Sequence, residues 1–68
     1  MGRCTSRFTG VGNTKDEAIQ DLFNDMKVGK CTNIVMENND ILFTYKGIRY
    51  RTDIVYYYEG NLVSVCIY

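Results

Sequence analysis

Apolar and polar residues change their period twice along this chain, and each change marks an element. From Arg3 to Gly10 they alternate, with Cys4, Ser6 and Phe8 on one side and Arg3, Thr5, Arg7 and Thr9 on the other, which predicts a strand with one polar face. Ile19, Leu22, Phe23 and Met26 then fall at i, i+3, i+4 and i+7, with Ala18 widening the stripe, and this is the pattern of an amphipathic helix. Its start is written in Thr14-Lys15-Asp16-Glu17, a capping-box spacing in which the Thr14 hydroxyl accepts from the Glu17 backbone N–H. Asp16 and Glu17 in the first turn and Lys27 in the last complement the helix dipole, and Gly29 is placed to end the helix in a left-handed conformation.

Beyond Lys30 the period returns to two. Thr32 to Glu37, Ile41 to Lys46, Ile48 to Tyr58 and Leu62 to Tyr68 read as strands, separated by the turn residues Asn38-Asn39-Asp40, Lys46-Gly47 and Glu59-Gly60-Asn61. The order β-α-β-β-β-β predicts an α+β fold, a single domain over residues 1–68 in which one amphipathic helix packs on one face of an antiparallel sheet.

A single helix covers one face of such a sheet and leaves the other open. In the longest predicted strand Ile48, Tyr50, Thr52, Ile54, Tyr56 and Tyr58 share the side expected under the helix, and Arg49, Arg51, Asp53, Val55, Tyr57 and Glu59 the outward side. Arg49, Arg51 and Tyr57 are therefore the candidate interaction surface, because arginine and tyrosine combine large contact area with a polar handle. The plainer reading is that the tyrosines are strand formers and the arginines keep an exposed sheet soluble.

Composition narrows the chemistry. A chain of 68 residues buries only about 60% of its unfolded surface, so a deep active-site cleft is not expected. Eight Lys plus Arg balance eight Asp plus Glu, which removes the electrostatic footprint of a general nucleic-acid binder. There is no histidine, and with it go His-based zinc sites and Cys-His or Ser-His nucleophile pairs. Cys66, Asp53 and the tyrosine hydroxyls lack an activating partner in the sequence, so neither enzyme activity nor a metal or cofactor is expected. Cys4, Cys31 and Cys66, odd in number and far apart, suggest reduced thiols rather than a disulfide framework.

Two short motifs remain. Gly10-Val11-Gly12 ahead of a helix start has the look of a phosphate-binding turn, which makes Gly10, Gly12 and Thr14 candidate ligand or anion contacts. Against it, Lys15 stands where G-x-G-x-x-G requires glycine, and Asp16 and Glu17 put negative charge where a phosphate would sit. The acids Asp16, Glu17, Asp21 and Asp25 read as a solvated helix face, or alternatively as a dock for a basic partner. Met1-Gly2-Arg3-Cys4-Thr5-Ser6 matches the myristoylation pattern, with Cys4 at hand for a second acyl chain. Otherwise no stretch approaches the roughly 20 apolar residues of a membrane span, no signal-peptide core is evident, and a cytoplasmic protein is expected.

The stretch Thr9 to Phe23 is similar to the turn and helix of antitoxins of the HicB type, although that family's upstream strands have no counterpart here. The β-α-β-β order, with Thr32-Asn33-Ile34 after the helix and a long strand from Tyr50 to Tyr58, resembles dodecin, a small flavin-binding oligomer. The tryptophan that stacks on flavin in that family is absent, so no ligand residue is carried over. The function expected from the residues is that of a small non-enzymatic interaction protein. It oligomerises or binds a protein partner through the uncovered sheet face, in the manner of a phage or mobile-element inhibitor of a host protein. The alternative is an oligomeric binder of a small aromatic or nucleotide-like ligand; nucleic acid ranks third.

Overall fold

The computed structural model describes residues 3–68, so Met1 and Gly2 of the lipidation pattern lie outside the described residues. The chain runs β1 (Ser6–Val11), α1 (Lys15–Val28), β2 (Thr32–Glu37), β3 (Asp40–Tyr45), β4 (Ile48–Asp53), β5 (Val55–Tyr57) and β6 (Leu62–Ile67). One helix packs against antiparallel sheet in the predicted element order, but the strands form two three-stranded sheets, β1-β6-β5 and β2-β3-β4.

The division falls inside the strand predicted to be longest. Ile54 is buried, its N–H donates to the Asn39 carbonyl at 3.0 Å, and the chain on either side pairs with different neighbours: β4 with β3, β5 with β6. A flat five-stranded sheet would have left half its apolar residues without cover; breaking at Ile54 lets both sheets share one core with the helix. Phe8 of β1 meets Phe43 and Tyr45 of β3 edge to face at 6.3 and 5.6 Å, and Ala18, Leu22 and Met26 close the cluster from α1.

The helix starts as predicted, with Thr14 as N-cap and its hydroxyl accepting from Glu17 N–H at 3.2 Å. It ends differently. Gly29 has φ −76°, and the left-handed residue is Lys30 at φ 69°. Lys30 N–H bonds to Lys27 C=O and Cys31 N–H to Met26 C=O, the two bonds of a Schellman motif displaced by one residue from the glycine.

The helix lies directly on β1. A Cβ at Gly10 would stand 2.2 Å from the Ala18 carbonyl oxygen and 2.3 Å from the Leu22 nitrogen, so only glycine lets strand and helix backbones approach this closely. From that position α1 also reaches the strand's outer edge: Asp25 Oδ2 accepts from Thr9 N–H and Asp21 Oδ2 from Val11 N–H, each at 3.0 Å. Two of the acids predicted to face solvent freely are therefore partners of β1.

The thiol expectation is overturned as well. Cys4 and Cys66 form a disulfide across 62 residues, with Cα atoms 5.5 Å apart, and Cys31 alone is free and buried. Pairing of β1 with β6 sets the two ends of the chain side by side, which no local spacing of cysteines reveals. Among the described residues no helix is long and apolar enough to cross a membrane.

Candidate interaction surface

The predicted surface residues point outward, but the break at Ile54 separates them. Arg49 and Arg51 stand on the outer face of β2-β3-β4, whereas Tyr57 stands on the outer face of β1-β6-β5, six residues from Arg51 or about 20 Å along extended chain.

Both arginines already have work within the sheet. In β2 the register against β3 slips by one residue between Thr32 and Val35, where Asn33 takes a positive φ of 50°. Arg49 reaches across β3 and donates to the Asn33 carbonyl at 2.7 Å and to Thr44 Oγ1 at 3.2 Å, so it holds the bulge. Arg51 donates to Asp40 Oδ2 through Nε at 3.0 Å and lies 2.9 Å from the same oxygen through a terminal nitrogen.

Asp53 faces Asp40 in the β3–β4 register. Once one of the two carboxyls is protonated it can hydrogen-bond the other, and this holds Asp40 below the ordinary aspartate range, with help from Arg51, and lifts Asp53 above it, with help from the Asp40 charge. As pH falls, Asp53 takes the first proton and Asp40 the last. The signs oppose: the Asp53 contribution to stability is present at low pH and lost as pH rises through its raised value, while that of Asp40 is present at higher pH and lost as pH falls through its lowered value. Carboxyl NMR titration is expected to show Asp53 above Asp40, and Asp53→Ala to return Asp40 part of the way upward. Identical, ordinary titrations would show that the two carboxyls do not interact.

Tyr57 has different company. The register aligns Val11 with Leu62 and Leu62 with Tyr57, so one cross-strand row on the outer face of β1-β6-β5 is apolar from edge to edge. Val55 lies one row away, and Val11, Val55 and Tyr57 are 61%, 45% and 47% exposed. At the end of this row Tyr58, Glu59 and Gly60 have consecutive positive φ values of 52°, 59° and 97°. Asn61 N–H to Tyr58 C=O and Gly12 N–H to Asn61 C=O anchor the turn, and Tyr58 projects at 79% exposure instead of lying under the helix as predicted. Val11, Leu62 and Tyr58 were missed by sequence reasoning. The available signal was that Val11 extends the polar side of β1, and Leu62 the Ser64-Cys66 side of β6, with an apolar residue.

The glycine turn is occupied by the protein itself. Gly12 N–H bonds to Asn61, a Cβ there would lie 2.6 Å from that of Glu17, and the Thr14 hydroxyl caps α1. Gly10, Gly12 and Thr14 thus position the helix, and these bonds use the groups an anion would need.

Two clefts of about 310 Å³ each open on the surface. One lies beside Arg51, Thr52, Asp53, Cys66 and Tyr68; the Thr52 hydroxyl is buried and has no hydrogen-bond partner. The other lies beside Tyr56, Glu59 and Gly60, where Lys15 Nζ stands 4.5 Å over the Tyr56 ring. Burial, and then the charge of Asp25, raise the Cys31 thiol, which keeps it unreactive. No cluster of three or more metal-ligating side chains occurs among the described residues. Comparison of the chain with protein-family models, with curated proteins and with solved structures returns no match.

Proposed function

We propose that this chain is a small non-enzymatic protein-binding module whose contact surface is the outer face of β1-β6-β5 around Tyr57. The observation that carries the reading is the Val11-Leu62-Tyr57 row, exposed at Val11 and Tyr57 and half-buried at Leu62, with Tyr58 held out beside it. A contiguous apolar row rimmed by polar side chains is a usual form of protein contact site, and tyrosine is enriched among hot-spot residues. Arg49 and Arg51, being bonded within their own sheet, belong to its support rather than to the contact. Self-association and capture of a foreign protein both use such a surface, the latter being the mode of a phage-type inhibitor. The lack of histidine and the neutral net charge favour protein contact over catalysis or general nucleic-acid binding.

Tyr57→Ala and Tyr58→Ala are expected to weaken self-association or partner capture at least tenfold each, while Asp16→Ala on the helix leaves it unchanged. Light scattering and pull-down with mass spectrometry read the outcome. A monomeric wild type with no specific partner would overturn the proposal. A stabilising thermal shift with a nucleotide or flavin, in the absence of a protein partner, would favour the small-ligand alternative instead.

The cytoplasmic setting belongs to this proposal too, and the Cys4–Cys66 bond weighs against it, since structural disulfides persist mainly in oxidising compartments. Thiol counting on rapidly quenched material decides: three free thiols support the cytoplasm, one supports an oxidising compartment.

A further inference from the structure

The bond from Gly12 N–H to Asn61 C=O fixes the hydrogen-bonding parity of β1: its even-numbered residues turn their N–H groups toward β6, and Arg7, Thr9 and Val11 turn theirs toward the open edge. An edge of this kind is a template for another strand. On this edge Asp25 and Asp21 accept from Thr9 and Val11 at 3.0 Å each. The fit follows from geometry, because carboxylates four residues apart on a helix are spaced by about 6 Å and alternate strand N–H groups by about 6.8 Å. The two side-chain oxygens stand where the carbonyls of a neighbouring strand would be.

The other edge strands are β2, β4 and β5, and two of them are blunted by other means. β2 is bulged at Asn33, and β5 stops after three residues at the left-handed turn. β1 is regular over six residues and relies on the helix alone.

We propose that the edge of β1 is a latent strand-addition surface for a second copy of this chain, held shut by Asp21 and Asp25. The copy fits because β1 is self-complementary. An antiparallel partner centred on Thr9 sets Thr9 against Thr9 and Arg7 against Val11, so no like charges oppose, and carbonyls of Thr9 and Arg7 replace the carboxylates. The helix, seated over the face of β1 at Gly10, meets this edge through its aspartates. The edge shares Val11 with the Tyr57 face, through its N–H on the edge and its side chain in the row, and the Tyr57→Ala background tells the two proposals apart.

Asp21→Ala/Asp25→Ala is expected to double the particle mass relative to wild type in light scattering at micromolar concentration, and to do so equally in a Tyr57→Ala background. Asp16→Ala/Glu17→Ala, which removes the same charge from the same helix, is expected to leave the mass unchanged. A folded double variant of wild-type mass would overturn the proposal. Should the double variant fail to fold, Asp25→Ala alone, which frees the N–H at the centre of the register, is read in the same way. In the wild type, amide exchange at Thr9 and Val11 is expected to be as slow as at Phe8 and Gly10; fast exchange would show that the carboxylates do not guard the edge.

Discussion

Gly10→Ala is expected to cost about 3 kcal/mol or more, a large part of the roughly 3 to 10 kcal/mol available to a domain of this size. The added methyl would stand 2.2 Å from the Ala18 carbonyl and 2.8 Å from the Leu22 Cα, and backbone atoms of a helix cannot turn aside as a side chain can. The helix must lift from β1, which pulls the carboxylates of Asp21 and Asp25 off the edge and opens the contacts of the fully buried Leu22 and Met26. Gly47→Ala is the control: nothing lies within 4 Å of its Cβ position, and only the positive φ of 77° opposes the change, at about 1 kcal/mol. Urea denaturation of the two variants should separate them clearly. Equal midpoints would mean that helix and strand are further apart than described.

Reduction of the Cys4–Cys66 bond is expected to have an effect of similar size. A cross-link that closes a loop of 62 residues removes about 4 kcal/mol of chain entropy from the unfolded state on the loop-closure account. Cys4→Ser/Cys66→Ser should therefore melt well below the oxidised wild type and together with the wild type under reducing conditions. A melting temperature indifferent to reductant would show that the bond carries no stability. Cys31→Ser is a separate matter, since it places a hydroxyl in a buried apolar site and destabilises in either redox state.

The elements with local causes were legible. Thr14 and Glu17 announced the helix start, the stripe of Leu22 and Met26 its buried side, and period-two alternation the strands from Thr32 onward. What depended on partners distant in sequence was not. Alternation alone continues unbroken through Ile54, because the side-chain parity of a strand is the same whether it stays in one sheet or passes into a second; the exchange of β3 for β6 as neighbour is written in the tertiary packing. Asp21 and Asp25 looked like solvated acids for the same reason, their acceptor role being set by the position of β1 beside the helix. Arg49 and Arg51 face outward as alternation predicts, yet outward side chains on a bulged sheet find partners within it. The apolar row at Tyr57 leaves no local pattern, because its members come from positions 11, 57 and 62.

That scattered origin bears on when the surface exists. The helix and the β2-β3-β4 meander join residues near one another in sequence, whereas Val11 reaches Leu62 only when β1 closes on β6 across some fifty intervening residues. Contacts of such long range carry the largest loop-closure cost and are the natural last step of folding. A partner that reads the Val11-Leu62-Tyr57 row consequently inspects the finished molecule, and a chain with helix and meander formed but its ends apart would pass unrecognised.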